Sequence, residues 1–337
     1  MSLPRRPLGS SGLEITSVGF GSWAVGGGGW SFGWGPQDDD RSIDAIHRAV
    51  DLGVNWVDTA AIYGLGHSEE VVGRAVRALP AASRPLVFTK CGLQWDDARP
   101  MAPARRIVTA ETVRKGAEDS LRRLGFDYLD LFQIHWPDAQ GNPIEPAWEE
   151  MLKLRDEGLA MAVGVSNFDP PLLARCEALG HVDSLQPPFS LIARRAASEL
   201  LPWATQHAAG VLCYSPMASG ILTDSFSAAR VAAMAEDDWR KRQKAFNEPE
   251  LSRNLSLRDA LRPIAARHGT TVAAVAIAWV VAWPGVTGAI VGARSRQQVN
   301  GWIGAPNVGL TQDDLEAIAG AVETTGAGEG PAYLRRS

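Results

Sequence analysis

Eight short apolar runs, separated by longer amphipathic segments, constrain the fold of this chain more than any other feature. Each run has the length of a buried β-strand, and Gly, Pro or Asp bounds most of them. The runs lie at 18–20, 55–58, 86–90, 129–134, 162–166, 184–187, 211–214 and 288–292. Because strand and helix alternate eight times, the sequence predicts an α/β fold in which eight parallel strands close into a (β/α)₈ TIM barrel.

Helical segments lie between these runs. The segment 109–124 carries apolar residues at helical spacing on one face. Thr311 with Asp314, and Ser256 with Asp259, have the spacing of Ser or Thr three residues before an acid that can cap the start of a helix. These signals predict helix starts near 256 and 311.

Two parts of the chain extend the minimal barrel. Residues 7–16 contain a Gly-Ser-Ser-Gly turn, which predicts an N-terminal β-hairpin that plugs the barrel bottom. We predict that residues 217–254 form a long loop after the seventh strand. This loop would serve as a cofactor lid or as an oligomer contact. We expect a single domain over residues 1–337, with a core at about 7–322 and a C-terminal tail at 323–337.

Composition excludes several classes of protein. The chain has 337 residues, which suits one barrel domain, and no stretch reaches the roughly 18 unbroken apolar residues of a membrane span. Its net charge of −5 provides no basic field to attract nucleic acid or an anionic membrane. Three widely spaced cysteines suit a reducing cytoplasm better than a disulfide framework. We therefore expect a cytoplasmic protein that acts on a small molecule, of undetermined oligomeric state.

Four ionisable side chains fall at or just after strand ends. Asp58, Lys90 and His135 end or follow the second, third and fourth runs, and Tyr63 lies five residues into the loop after Asp58. Because parallel strands of a closed barrel share one rim, we expect an acid, a phenol, an amine and an imidazole to converge there. Together these groups predict a site for proton transfer.

The types of these residues suggest how the site works. A phenol with an ordinary pKa near 10 holds its proton too tightly to be an efficient acid, and a neighbouring ammonium is expected to lower that pKa. Asp58 would hold Lys90 in place, and a neutral His135 would orient a substrate oxygen. Because the set lacks a source of electrons, a nicotinamide cofactor is implied.

Over nearly its whole length the chain resembles the aldo-keto reductases, a family with bacterial, NADP-dependent members. The resemblance rests on Lys90 and on the motifs DTAAIYG at 58–64, LDLFQIHWP at 129–137, GVSNF at 164–168, YSP at 214–216 and IVGARS at 290–295. It implies NADPH-dependent, reversible reduction of an aldehyde or ketone to the alcohol, with Tyr63 as general acid. It also implies that Asp58, Lys90 and His135 are catalytic.

The same resemblance implies the cofactor contacts. Ser166, Asn167 and Gln186 would bind the carboxamide, and Tyr214 would stack on the nicotinamide ring. The remaining contacts, along the pyrophosphate and adenosine, would come from Ser215, Met217, Gly220, Gly292, Arg294, Ser295 and Gln298.

Arg294 favours NADPH over NADH, because its planar fork suits the oxygens of a 2′-phosphate. Some branches of the family carry Lys and Arg where Gly292 and Gln298 stand. We therefore expect few other cationic side chains to assist Arg294 in binding the phosphate. The protein could then accept NADH as well as NADPH.

Trp23 and Trp136 each follow a strand end, and the resemblance implies that they wall the carbonyl pocket. Trp30, Trp34 and Trp95 lie on rim loops that could extend this wall. An aromatic pocket favours apolar, aromatic or sugar-type carbonyl substrates.

Three other interpretations compete with this one. The sequence GFGSWA at 19–24 fits a dinucleotide-binding fingerprint, but the acids at 38–40 precede a helix, which favours a tight turn and a long first rim loop. A cofactor-sensing regulatory or binding subunit would keep the fold, although it has no need of the acid. A metal-dependent hydrolase using Asp58 and His135 lacks further ligands at suitable spacing.

Overall fold

The eight predicted barrel strands all form in a computed structural model, which describes residues 3–236 and 238–333. They pair in parallel in chain order, and the last pairs with the first, so the barrel is closed. The barrel strands are β3 (Val18–Gly21), β4 (Trp56–Asp58), β5 (Leu86–Cys91), β8 (Leu129–Ile134), β9 (Ala160–Ser166), β10 (Ser184–Gln186), β11 (Gly210–Cys213) and β12 (Gly288–Gly292). The (β/α)₈ prediction is confirmed.

Helices surround the barrel and bury their apolar faces against it. They are α1 (Asp39–Asp51), α2 (His67–Arg77), α3 (Ala110–Leu124), α4 (Ile144–Asp156), α5 (Pro170–Glu177), α6 (Leu200–Gln206), α7 (Ala228–Ala232), α8 (Glu250–Ala260), α9 (Arg262–Arg267), α10 (Val272–Ala282), α11 (Arg296–Trp302) and α12 (Gln312–Thr325). Among the described residues, no single helix is long and apolar enough to cross a membrane. The bent pair Glu250–Arg267 and Val272–Ala282 passes that test only when its two parts are joined.

The capping predictions had different outcomes. Thr311 and Asp314 form a capping box at the start of α12, as predicted. Ser256 does not begin a helix, because it lies inside α8 and its hydroxyl donates to the carbonyl of Ser252 at 2.9 Å. The helix starts earlier, after Pro249, so the spacing of Ser256 and Asp259 was a false signal. Four residues of the predicted tail, 334–337, lie outside the described residues.

An N-terminal hairpin closes the bottom of the barrel, as predicted. Its strands β1 (Arg5–Pro7) and β2 (Glu14–Thr16) pair antiparallel. Leu8 and Ile15 are fully buried in the cluster of side chains that fills the barrel interior, with Trp56 and Phe88. The hairpin therefore fills the amino-terminal end of the barrel, opposite the rim formed by the carboxyl ends of the strands.

The long loop after β11 contains local structure. Within it lie 3₁₀ helices at Ala218–Gly220, Trp239–Arg242 and Lys244–Phe246, and α7. Trp239 and Phe246 are buried, at 7% and 4% exposure. These apolar anchors hold the loop against the rest of the protein.

Candidate active site

A buried ion pair between Lys90 and Asp58 lies at the carboxyl ends of β5 and β4. Lys90 Nζ lies 2.6 Å from Asp58 Oδ1 and also donates to the carbonyl of Thr59 at 2.8 Å. Asp58 and Lys90 are only 2% and 1% exposed. Burial raises the pKa of the Asp58 carboxyl and lowers the pKa of the Lys90 ammonium, and each charge opposes the shift of the other. The pair is therefore held away from water.

Tyr63 and His135 lie next to this pair. Lys90 Nζ is 5.3 Å from the centroid of the Tyr63 ring. The rings of Tyr63 and His135 meet edge to face with centroids 5.7 Å apart. His135 directly follows β8. The structure thus brings all four predicted residues together at one mouth of the barrel.

The pKa of Tyr63 moves in the direction opposite to the one expected from the sequence. Burial raises this pKa well above its usual range, and Asp58 and Tyr214 raise it further. The expectation was wrong because the Lys90 ammonium is already engaged by Asp58 and the Thr59 carbonyl. Tyr63 therefore keeps its proton at neutral pH and is available as a hydrogen-bond donor.

His135 has the neutral state that an orienting role requires. Burial lowers the pKa of its imidazole well below the usual range, and the positive charges of Lys90 and Arg106 lower it further. A neutral imidazole offers one N–H donor and one acceptor nitrogen. It can therefore donate to a substrate oxygen without carrying charge.

We expect the NMR titration of His135 to show a neutral ring at pH 6, because its folded pKa is depressed. Below about 6.5 the unfolded imidazole binds a proton that the folded one does not. The contribution of His135 to the free energy of unfolding should therefore decrease as pH falls through this range. Carbon and nitrogen chemical shifts of labelled histidine measure the midpoint, and a midpoint above 6.5 would contradict the assignment.

A close backbone contact positions the loop that carries Tyr63. Gly26 ends the 3₁₀ helix Trp23–Gly26 of the first rim loop. A Cβ built on Gly26 would lie 2.6 Å from the nitrogen of Gly64 and 2.7 Å from the carbonyl carbon of Tyr63. Gly64 has a φ of 62°, and a Cβ there would overlap the carbonyl of Gly26. Glycine at both positions lets the two loops touch.

Glu69, a second buried acid, supports the same region. It is fully buried, and it accepts hydrogen bonds from the Thr89 hydroxyl at 2.5 Å and from Arg123 Nε at 2.6 Å. Thr89 precedes Lys90 in β5. Glu69 therefore ties α2 to β5 and α3 beneath the site.

The residues predicted to bind a carboxamide form one hydrogen-bonded network. Asn167 Nδ2 donates to Ser166 Oγ and to the His135 carbonyl, both at 3.0 Å. Gln186 Nε2 donates to Asp58 Oδ2 at 3.0 Å. The Tyr214 hydroxyl donates to Asn167 Oδ1 at 2.8 Å. This network joins the Lys90–Asp58 pair to Tyr214 across the barrel mouth.

Left-handed backbone concentrates beside this network. Non-glycine residues with positive φ cost about 1–3 kcal/mol each and cluster at binding sites. Four of the six described here lie in this region: Asn167 (62°), Ser215 (55°), Ala218 (50°) and Ser219 (53°). Ser215, Met217 and Gly220 belong to the same turn, in which Ala218, Ser219 and Gly220 have positive φ in succession. The backbone N–H groups of Ala218 and Gly220 donate to the carbonyls of Ser215 and Met217, and these bonds hold the turn in its shape.

The last predicted group lies around the start of α11. Gly292 ends β12, and the Ser295 hydroxyl caps α11 by accepting from the backbone N–H of Gln298. Gln298 Oε1 accepts from the backbone N–H of Arg294 at 2.7 Å. These four residues form one compact turn.

Arg294 is held by the first rim loop. Its Nε donates to Gln37 Oε1 at 2.8 Å, and its other nitrogens donate to the carbonyls of Trp34 and Pro36. Gln37 in turn donates to the carbonyl of Arg294 at 3.1 Å. The guanidinium is therefore pre-oriented by residues distant in sequence.

The charges that act on Arg294 come from separate segments of the chain. Burial lowers the pKa of Arg294, and the positive charges of Arg41 and Arg240 lower it further, although Arg240 is itself paired with Asp238 at 2.7 Å. The expectation that few other cationic side chains assist Arg294 stays a prediction. Arg41 belongs to α1 and Arg240 to the long loop after β11. Sequence spacing could not reveal this cluster, because its members come from three separate segments.

Aromatic rings cover one side of Tyr63. Trp23 stacks on Tyr63 with ring centroids 6.0 Å apart. On its other side, Trp23 lies 5.4 Å from Trp34 and stacks on Trp239 at 4.8 Å. Trp30 lies 6.5 Å from Tyr63. Trp23 thus lies against Tyr63, and the long loop reaches this aromatic cluster through Trp239. That Trp23 walls the carbonyl pocket stays a prediction.

Trp136 packs against a cation. Its ring faces the guanidinium of Arg106, with the central carbon of Arg106 4.1 Å from the ring centroid. Arg106 belongs to a small hairpin of β6 (Leu93–Gln94) and β7 (Arg105–Arg106). Sequence reasoning missed this arginine, because Arg105 and Arg106 resemble any exposed basic pair. It also missed Gly26, Gln37 and Trp239 as parts of the site.

Within residues 3–236 and 238–333, no three His, Cys, Asp or Glu side chains are grouped to hold a metal ion. The three cysteines are buried and unpaired.

The chain is similar in sequence to aldo/keto reductases. The profile described as Aldo/keto reductase family matches residues 17–323. The aldo-keto reductase YhdN of Bacillus subtilis (strain 168) is 33% identical, over 94% of this chain and 93% of its own. The NADH-specific methylglyoxal reductase of Escherichia coli (strain K12) is 29% identical, over 94% and 98%.

Two further relatives extend the comparison. A probable voltage-gated potassium channel subunit beta of Arabidopsis thaliana is 30% identical, over 87% of this chain and 88% of its own. Among solved structures, the glycerol dehydrogenase of Gluconobacter oxydans superposes with a TM-score of 0.84 at 35% identity, and the match covers 98% of each chain.

Proposed function

Because the chain belongs to the aldo/keto reductase family, we propose that it is an NADPH-dependent oxidoreductase that reversibly reduces an aldehyde or ketone to the alcohol. One observation carries this proposal. The buried Lys90–Asp58 pair lies beside Tyr63 and a neutral His135 at the open mouth of the barrel. A protein that only binds a ligand does not need a phenolic acid there. The three buried free cysteines suit the reducing cytoplasm as its location.

The residues divide the reaction between them. When bound, a nicotinamide supplies the hydride. As the carbonyl carbon accepts this electron pair, its oxygen takes up the former π pair and removes the proton from the Tyr63 hydroxyl. His135 donates a hydrogen bond to the same oxygen. Lys90, which Asp58 holds 5.3 Å from the Tyr63 ring, offsets only part of the negative charge that develops on the phenolate. Water then returns a proton to Tyr63, and the reverse sequence oxidises the alcohol.

The raised pKa of Tyr63 is compatible with this role. The phenol stays protonated until hydride transfer turns the carbonyl oxygen into a far more basic alkoxide. Transfer of the proton then becomes favourable only in the transition state, where it accelerates the reaction. In the oxidative direction the same raised pKa opposes formation of the phenolate, so we expect oxidation to be favoured at higher pH.

The residues present fit a nicotinamide dinucleotide. Ser166, Asn167 and Gln186 provide the donors and acceptors that a carboxamide needs, and Tyr214 provides a ring for stacking. The turn at 215–220 directly follows Tyr214, which is where we place the pyrophosphate. Arg294, whose guanidinium is oriented by Gln37, supplies positive charge for a 2′-phosphate. Because one relative is NADH-specific, the preference of this protein for NADPH over NADH is a direct test of the proposal.

Replacing Arg294 with Ala should weaken NADPH binding about tenfold or more while changing NADH binding little. The physical reason is that a charged hydrogen bond contributes about 1.5–3 kcal/mol, and only NADPH has the phosphate to receive it. Fluorescence titration gives both dissociation constants. Because Arg294 also holds the first rim loop, Gln37→Ala serves as the control for loosening that loop alone. Equal losses for both cofactors would contradict the phosphate role.

A second candidate function is a cofactor-sensing regulatory or binding subunit. The likeness to a probable channel subunit favours it. This candidate predicts nicotinamide binding without appreciable turnover.

One experiment separates the two candidates. NADPH and NADH oxidation would be followed with methylglyoxal, aromatic aldehydes, simple ketones and sugar-type aldehydes, with glycerol and NADP⁺ for the reverse reaction. We expect NADPH turnover with at least one carbonyl, because Tyr63 lies beside the Lys90–Asp58 pair and His135. Tight cofactor binding with no turnover across the panel would favour the sensor.

A further inference from the structure

Arg106 is placed beside the candidate active site by the β6–β7 hairpin. In this hairpin Arg106 pairs with Leu93. Leu93 packs in a cluster with Tyr63, Trp30 and Trp95. The strand that carries Arg106 is therefore attached directly to the aromatic wall around the Tyr63 ring.

The guanidinium of Arg106 lies over Trp136, the residue that follows His135. Its central carbon is 4.1 Å from the Trp136 ring centroid. Its positive charge also acts on His135, whose pKa it helps to lower. Arg106 is thus a cation within electrostatic reach of the position proposed for the carbonyl.

No carboxylate among the described residues forms an ion pair with Arg106, and its side chain is exposed. Its contact with Trp136 uses the face of the guanidinium. None of the five N–H donors at the edge of the guanidinium has a hydrogen-bond partner among residues 3–236 and 238–333, and their fork matches a carboxylate or phosphate. Arg105, its neighbour on the same strand, pairs with Gln94 in the hairpin, and no contact of its side chain with Trp136 is present among the described residues.

We propose that Arg106 is a specificity-determining residue that binds an anionic group, carboxylate or phosphate, on the far end of the carbonyl substrate. This inference rests on the proposed reductase function. Stacking on Trp136 pre-orients the guanidinium, so that little conformational entropy is lost when the anion binds. The substrate class is a short aldehyde or ketone with a terminal acidic group.

Matched substrate pairs test the proposal. Succinic semialdehyde and butanal differ in a carboxylate, and glyceraldehyde 3-phosphate and glyceraldehyde differ in a phosphate. We expect the wild-type protein to have a higher kcat/KM for the anionic member of at least one pair, and the pair that responds identifies the group. That preference should decrease with salt, because the interaction is exposed.

Arg106→Gln should lower the ratio of kcat/KM for the preferred anionic substrate to its neutral partner by about 10- to 100-fold, mainly through KM. This range corresponds to the loss of one charge-assisted hydrogen-bonded pair. Arg106→Lys should recover part of the ratio, because it keeps the charge but not the fork. The matched control, Arg105→Gln on the same strand, should leave the ratio near the wild-type value.

Two results would overturn the inference. One is a wild-type protein that reduces butanal and glyceraldehyde at least as well as their anionic partners. The other is an Arg106→Gln variant that loses activity on both members of a pair equally, which would indicate a structural role. Failure of the proposed function is distinct, because then none of the four substrates would oxidise NADPH or NADH.

Discussion

Replacing Tyr63 with Phe should lower kcat for carbonyl reduction by roughly 10²–10⁴, the usual contribution of a positioned general acid. The substitution removes only the hydroxyl. The ring that stacks on Trp23 and meets His135 edge to face remains. Steady-state kinetics in the direction of NADPH oxidation measure the loss, and fluorescence titration should show an NADPH dissociation constant close to that of the wild type.

A matched variant removes the same hydroxyl elsewhere. Tyr128 is 49% exposed, so Tyr128→Phe should leave kcat and cofactor affinity unchanged. Near-normal turnover by Tyr63→Phe would refute the assignment of the acid. If kcat and cofactor affinity fell together, the hydroxyl would instead have a role in binding, because a group that acts only in the transition state leaves ground-state affinity intact.

The barrel was predictable because its signals are local. Each barrel strand is a short apolar run between turn residues, and the closed parallel sheet follows from their alternation with helices. The capping signal at Thr311 was correct because the helix pattern resumed directly after it. At Ser256 the same spacing failed, since the helix had already begun after Pro249 and the hydroxyl bonds within it. Local spacing does not indicate whether a helix has already started.

The candidate site was predictable to the extent that it lies at strand ends. Asp58 and Lys90 pair at 2.6 Å because β4 and β5 are neighbours in the barrel. Contacts between separate rim loops could not be predicted in this way. Trp239 reaches Trp23 from more than 200 residues away. Its position depends on how the long loop folds, for which the sequence has no simple periodicity.

The direction of the pKa of Tyr63 could not be predicted from residue types. A neighbouring ammonium lowers the pKa of a phenol, whereas burial and nearby negative charge raise it, so the direction depends on which effect is larger. Here Asp58 and the Thr59 carbonyl engage Lys90, and burial together with Asp58 raises the pKa of Tyr63. Such balances depend on burial, which only the folded structure defines.

Replacing Lys90 with Met should lower the free energy of unfolding at neutral pH by about 3–5 kcal/mol, the usual cost of leaving one partner of a buried ion pair alone. Asp58 is 2% exposed, so its carboxylate would lose its counter-charge without gaining water. Urea unfolding measures the change. The matched control is Lys115→Met in the exposed pair with Asp119, where Lys115 is 70% exposed. An exposed pair contributes at most about 1 kcal/mol.

The pH dependence identifies the cause of this loss. Without Lys90, the pKa of the buried Asp58 rises further in the folded state, while the unfolded carboxyl ionises near 3.9. As pH rises from about 4, the unfolded state releases a proton that the folded state retains, so the stability of Lys90→Met should fall with pH. Asp58→Asn added to Lys90→Met removes the charge and should restore stability and abolish this slope. If the double variant were as unstable and as pH-dependent as Lys90→Met, the uncompensated carboxylate would not be the cause.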